Sequence, residues 1–167
     1  MEKATYKSPI GDILIEANER GICRVQFVET RHAPSSLQVL THKQTPQYIS
    51  PAIERTIKWL DIYFGGGVPD FVPQLAIECT EFRRKVYEEL LKVKQGETVS
   101  YGELAKRISP RMSAQAIGGA MKNNHVALIV PCHRVIGANG KMTGYAAGVW
   151  RKKWLLKFEV NKNDGRL

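Results

Sequence analysis

Ser100-Tyr101-Gly102-Glu103-Leu104-Ala105, followed after a short gap by Ser113-Ala114-Gln115-Ala116-Ile117-Gly118-Gly119-Ala120-Met121, decides the fold. Ser100 with Glu103 three residues on has the form of a capping box, in which each side chain satisfies the other's free backbone N–H. The box predicts a short helix with Leu104, Ala105 and Ile108 facing inward, stopped by Pro110. Ser113 caps a second helix from Ala114 to about Lys122, which ends at Asn123-Asn124. Two short helices joined by a tight polar turn read as a helix-turn-helix.

The second helix is almost bare of side chains. Its two interior glycines, Gly118 and Gly119, cost roughly 1 kcal/mol each relative to alanine. Either close helix packing or the close approach of a nucleic-acid backbone compensates. A major-groove reader carries Arg, Asn or Gln along such a face. Here Gln115 alone projects from the small-residue stretch, which suits shape readout in the minor groove.

Downstream, the apolar run Val126-Ala127-Leu128-Ile129-Val130 predicts a short buried strand. Pro131 ends its pairing and sets Cys132-His133 at the strand end. A thiol is a strong nucleophile as thiolate, and a neighbouring imidazole can take its proton. The last helix is expected from about Val149 to Val160, with Trp150, Trp154, Leu155 and Phe158 on one side. Arg151-Lys152-Lys153 reads as a solvated basic face.

Upstream, Phe82, Val86, Leu90 and Val93 form a helical stripe ending before Gly96. Residues 1–78 read as three short strands, Thr5 to Lys7, Asp12 to Ala17 and Ile22 to Val28, with turns at Ser8-Pro9-Ile10-Gly11 and Asn18-Glu19-Arg20-Gly21. Pro34 to Thr45 is polar and reads as a loop. Ile49, Ile53, Ile57, Leu60 and Phe64 recur at helical spacing. Gly65-Gly66-Gly67 ends that helix, and lacks the Lys-Ser or Lys-Thr of a P-loop. Phe71 to Ile77 reads as a strand or an extended crossover. The fold class is therefore α+β: a small antiparallel sheet with a helix over 1–78, then a mainly helical domain over 79–167.

Charge divides at the same place. Residues 1–78 hold 8 Lys and Arg against 9 Asp and Glu, whereas 79–167 hold 17 against 7. A basic half is the footprint of contact with a polyanion. No apolar run approaches the ~18 residues of a membrane span. The N-terminal residues lack the apolar core of a signal peptide, and three cysteines without a CxxC pair fit a reducing compartment. The expectation is a cytoplasmic protein with no membrane contact.

These residues resemble the O6-alkylguanine-DNA alkyltransferases, the methylated-DNA–protein-cysteine methyltransferases. The resemblance runs from Thr80-Glu81-Phe82 through the capping box, Ala116-Ile117-Gly118-Gly119-Ala120-Met121, Pro131-Cys132-His133-Arg134-Val135-Ile136 and Gly144-Tyr145-Ala146-Ala147-Gly148 to Lys152-Lys153-Trp154-Leu155-Leu156. Ser8-Pro9-Ile10-Gly11 is similar as well. The resemblance implies a ribonuclease H-like first domain, and a second domain that binds DNA and accepts the alkyl group. Its implied substrate is double-stranded DNA carrying O6-alkylguanine, bound through the minor groove by a monomer that flips the base into a pocket. O4-alkylthymine stands as a further candidate.

By the same resemblance, Cys132 attacks the alkyl carbon and is consumed, without a cofactor. His133 deprotonates it through a water, and Glu159 orients the imidazole. Tyr101 donates toward the leaving guanine, and Asn124 bridges the helix-turn-helix to the active-site segment. Met121, Val135, Tyr145, Ala146 and Ala147 line the alkyl pocket. Ala114, Gln115, Gly118, Gly119, Lys122, Arg83 and Arg84 meet DNA. Gln115 stands where the family usually has an arginine that fills the gap of the flipped base. Some relatives bind zinc in the first domain, but Asn18 replaces one ligand. Cys23 alternates with Val25 and Phe27 as a small buried residue, and His32 and His42 read as solvated, so no metal is expected. Two alternatives remain: a non-catalytic alkyltransferase-like damage sensor, against which Cys132 argues, and a cysteine hydrolase, which leaves the basic helix-turn-helix unexplained.

Overall fold

A computed structural model of the chain describes residues 1–29 and 49–163. The polar segment 34–45, with His32 and His42, lies outside the described residues. The chain divides into two compact units, Met1–Glu78 and Cys79–Leu167.

In the first unit, β1 (Glu2–Ser8), β2 (Gly11–Asn18) and β3 (Gly21–Val28) form an antiparallel sheet in that order. Gly21 opens β3 at φ +134°, and a Cβ there would sit 2.4 Å from the Gln74 carbonyl oxygen. Only glycine meets both conditions. The close approach lets Ile22 bond the 71–77 segment, donating to Gln74 O at 2.8 Å and accepting from Ala76 N at 2.8 Å. That segment is thus an extended crossover touching the sheet at one parallel bridge, Ile22 with Leu75. A register irregularity at Glu16/Ala17 shifts the alternation along β3. Ile22, Val25 and Phe27 are buried, and Cys23 is only half-buried, contrary to simple alternation.

Helix α1 (Pro51–Phe64) starts with Ser50 accepting from Ile53 N and proline in its first turn, where a missing N–H costs nothing. Ile53, Thr56, Trp59, Leu60 and Tyr63 form its buried face. It ends as the triple glycine implies: Gly65 N donates to Asp61 O, and Gly66 takes φ +99°.

The second unit contains α2 (Glu81–Leu91), β4 (Val99–Ser100), α3 (Tyr101–Ile108), α4 (Ala114–Lys122), β5 (Val135–Ile136) and α5 (Val149–Asn163). Both halves of the capping box at Ser100 and Glu103 are present, and Ser113 accepts from Ala116 N to cap α4. Leu104 and Ala105 of α3 and Ile117, Ala120 and Met121 of α4 are buried, as the helix-turn-helix reading requires.

Two expectations fail here. Val126 to Val130 is no strand: it winds through turns, with Leu128 at φ +70° and Val130 N donating to Val126 O. Val126, Leu128, Ile129 and Val130 are all buried, which explains the apolar run without a sheet. An Asn124 amide replaces the missing ladder, accepting from Val126 N at 2.9 Å and donating to Val130 O at 3.0 Å. Cys132 consequently begins a 3₁₀ turn, Cys132–Arg134, instead of ending a strand.

The second failure concerns α5. Its buried side carries Arg151, Lys152, Leu155, Leu156 and Glu159, while Trp150 is 55% exposed. Trp154 and Phe158, half-buried, stack at 4.7 Å. Arg151 and Lys152 are therefore interior groups, and only Lys153 is solvated. Among the described residues, no helix is long and apolar enough to cross a membrane.

Candidate active site

A two-residue parallel pairing builds the site. Val99 of β4 pairs with Val135 of β5, and Ser100 with Ile136. The pairing sets the start of α3, with Tyr101 as its first residue, beside the turn that carries Cys132 and His133. A pocket of about 350 Å³ opens there. Tyr101, Gly118, Met121, Lys122 and Cys132 line it together with Thr143, Gly144, Tyr145 and Ala146.

Of the residues expected at the site, Met121, Tyr145, Ala146, Tyr101 and Cys132 line this cavity. Val135 and Ala147 are not among its lining residues. Val135 is fully buried in β5. Ala147 has its carbonyl committed to Arg151 Nη1 at 2.8 Å, and lies outside the lining. Thr143 and Gly144 belong to the lining instead. They follow the turn at Ala138–Gly140, where Asn139 takes φ 59°, ψ 28° and Gly140 φ 74°. Gly137 N donates to Lys141 O at 2.7 Å across it. An Asn-Gly pair in the left-handed region is a hairpin signal that the sequence carried and that reading passed over.

Cys132 is 9% exposed, and the Asn124 amide donates to its sulfur at 3.2 Å. Burial pushes the thiol pKa up, partly offset by the Asn124 hydrogen bond and the nearby Lys152 charge. At rest Cys132 is therefore a neutral thiol. His133 and Glu159 are both fully buried, with Nε2 and Oε1 2.7 Å apart. Burial lowers the imidazole pKa against the opposing pull of Glu159, so the ring is neutral. For Glu159 burial acts upward, but His133 and Arg134 outweigh it and hold the carboxyl well below the usual range. A carboxylate only accepts hydrogen bonds, so Nε2 carries the ring proton and Nδ1 keeps its lone pair. Nδ1 is buried and has no partner among the described residues.

Sequence reasoning missed two buried cations. Arg134 donates from Nε to Glu159 Oε2 and from Nη2 to Glu159 Oε1, both at 3.0 Å, and from Nη1 to Val93 O at 2.8 Å. Lys152, fully buried, donates to the carbonyls of Val135 and Thr143. It thereby ties the pocket wall to β5. Burial lowers its pKa, opposed by Cys132. Nothing in a basic run distinguishes a lysine that reaches inward from one that faces water.

Of the expected DNA-contacting residues, Ala114, Gln115, Gly119, Lys122 and Arg84 are exposed, while Gly118 and Arg83 are half-buried. A Cβ added at Gly118 or Gly119 would meet no atom within 4 Å. Packing against neighbouring elements thus does not require these glycines. Among the described residues, no group of three His, Cys, Asp or Glu side chains could hold a metal ion.

Comparison with known proteins agrees with this geometry. Residues 1–77 match the family model described as 6-O-methylguanine DNA methyltransferase, ribonuclease-like domain. Residues 81–161 match the DNA binding domain of the same name. A methylated-DNA–protein-cysteine methyltransferase of Methanosarcina acetivorans is 40% identical over 95% of this chain and 98% of its own. One from Mycobacterium bovis is 38% identical over 95% of this chain and 92% of its own. The crystal structure of Mycobacterium tuberculosis O6-methylguanine methyltransferase superposes with a TM-score of 0.79 at 36% identity, covering 96% of this chain and 93% of that one. The Mycobacterium tuberculosis OGT in complex with DNA gives 0.80 at 33% identity, covering 97% and 94%. The chain belongs to the methylated-DNA–protein-cysteine methyltransferase family.

Proposed function

We infer that this protein repairs DNA by transferring an alkyl group from O6 of guanine to its own Cys132. The observation that carries the reading is a buried thiol in the pocket wall, adjacent in sequence to an imidazole whose Nε2–H is committed to Glu159. That leaves Nδ1 as the free base. The thiol proton passes through one water to Nδ1 of His133, and Glu159 stabilises the imidazolium that forms. The sulfur attacks the alkyl carbon in line with the O6–C bond. One S–C bond forms and one O6–C bond breaks. The electron pair leaves with guanine, which takes up one proton, so atoms and charge balance without a cofactor. Tyr101, at the pocket rim, donates its hydroxyl toward the leaving base. The thioether is not hydrolysed, so each molecule acts once.

DNA reaches the pocket through α4. Ala114, Gln115 and Gly119 are its exposed positions toward the minor groove, and Gly118 and Gly119 give the backbone room to approach. Lys122, Arg83 and Arg84 meet phosphates. Three free cysteines, one of them the acceptor, suit a cytoplasmic, reducing environment.

Intact-mass analysis after incubation with O6-methylguanine DNA tests the reading. One methyl per molecule, mapped to Cys132, is expected. Cys132→Ala abolishes transfer and leaves duplex affinity nearly unchanged. Residual methylation of that variant, at Cys23 or Cys79, would refute the assignment. Binding by the intact chain without mass change would favour the damage-sensor alternative.

A further inference from the structure

Two buried polar atoms of the second unit lack a hydrogen-bond partner among the described residues, His133 Nδ1 and the Tyr145 hydroxyl. Every other buried polar side chain around Cys132 is engaged: Asn124 three times, Arg134 three times, Lys152 twice. A buried polar group left unmatched forfeits its hydration with nothing in return. Two such groups in one corner of a folded protein ask for a shared partner.

The two belong to the same corner. The His133 and Tyr145 rings lie edge to face, with centroids 6.5 Å apart. Tyr145 presents its ring to the pocket that Cys132 lines, while its hydroxyl oxygen is buried. Burial raises the Tyr145 pKa well above its ordinary value, so the hydroxyl keeps its proton and can donate.

We propose that Tyr145 is a positioning residue for proton transfer, its hydroxyl fixing the water that carries the proton from Cys132 to His133. This rests on the alkyl-transfer reading above and deepens it. The water accepts the S–H of Cys132 on one lone pair and the O–H of Tyr145 on the other. It donates one hydrogen to His133 Nδ1. In the transfer, the thiol proton moves to the water and a water proton moves to Nδ1. Tyr145 exchanges no proton, and the water is regenerated. With both lone pairs and one hydrogen assigned, the water has one orientation, and it is the productive one.

Tyr145→Phe removes the hydroxyl and keeps the ring. The readout is the rate of Cys132 alkylation by O6-benzylguanine free base, followed by intact mass from about pH 6 to pH 9. The free base needs no flipping, so DNA contacts do not enter. The expected loss is on the order of tenfold at neutral pH. It narrows toward alkaline pH, where bulk hydroxide ionises the thiol, so the rise of the rate profile moves to higher pH. The melting temperature changes little, because the ring and its packing remain. A variant as fast as the parent at every pH would overturn the proposal. A loss of equal size at every pH would overturn it too, since that is the signature of a pocket-wall contact. Absence of a Cys132 adduct in the parent protein would overturn the alkyl-transfer reading itself, a result distinct from either.

Discussion

Arg134 holds both oxygens of Glu159, Nε on Oε2 and Nη2 on Oε1, each at 3.0 Å. The fork fixes the plane of the carboxylate and keeps it ionised. His133 then meets an acceptor and never a donor. The His133 tautomer, on which the proposed proton abstraction rests, is thus set two residues away from the sulfur. A buried pair of this kind adds little net stability, yet losing one partner leaves an uncompensated charge. Glu159→Gln should therefore destabilise the fold by about 3–5 kcal/mol and slow alkyl transfer together. Urea unfolding and adduct formation by mass measure the two. A variant of parental stability would show that Arg134 finds another counter-charge.

The same cluster predicts an acid-sensitive fold. His133 and Glu159 both have folded pKa values below their ordinary values of 6.5 and 4.5. The unfolded chain binds more protons, so stability rises with pH. The histidine share is complete above pH 6.5 and drains away as pH falls below it. The Glu159 share follows below pH 4.5. The urea midpoint should thus drop steadily from pH 7 toward pH 4, and His133→Gln should flatten the part between 6.5 and 4.5. A midpoint rising over that interval would contradict the buried neutral imidazole.

Gly119 separates stability from binding. It is exposed, and a Cβ there meets nothing within 4 Å. Gly119→Ala should stabilise α4 by about 1 kcal/mol. If the bare helix face exists to let a DNA backbone approach, the same variant should bind duplex more weakly. Thermal melting and duplex titration read the two effects. A stabilised variant with unchanged affinity would remove the groove-contact explanation for the glycine.

Salt dependence tests the role of Arg83, Arg84 and Lys122. Neutralised phosphates release counterions, so duplex affinity should fall steeply between ~50 and ~200 mM salt, with little regard to sequence. Replacing Lys122 by Ala should reduce the slope by about one unit. A flat response in the parent protein would mean that its surplus positive charge does not meet the backbone.

Gln115 occupies the second position of α4 and is exposed. An amide can hydrogen-bond an orphaned base but lacks the plane and charge of a guanidinium. Flipping costs a few kcal/mol, part of which a gap-filling group offsets. Gln115→Arg should speed repair of O6-methylguanine in duplex and barely alter reaction with free benzylguanine. Gln115→Ala should slow the first and spare the second. Equal changes on both substrates would place Gln115 in pocket shape or stability instead.

What the sequence determined by itself was local in origin. The capping box at Ser100 and Glu103, the Ser113 cap and the glycine stop after Phe64 are contacts within four residues, and they formed as read, whereas the stripe of α1 kept Ile53 and Leu60 but buried Thr56, Trp59 and Tyr63 in place of Ile57 and Phe64. The division of charge at residue 78 and the Pro-Cys-His-Arg block were equally legible, because residue identity alone carries them. Tertiary structure decided the rest. An apolar run buried on every side looks the same as strand or as turn, and an Asn124 amide, not a sheet, took up the backbone of Val126 and Val130. The cavity at Cys132 is lined by Thr143 and Gly144 and not by Val135 or Ala147, a membership that residue identity does not carry. Arg134 and Lys152 became interior charges only through partners 25 and 17 residues away, Glu159 and the Val135 carbonyl. Sequence patterns report which side chains avoid water, but a charged group enters the interior when the fold supplies its counter-charge, and that supply is long-range.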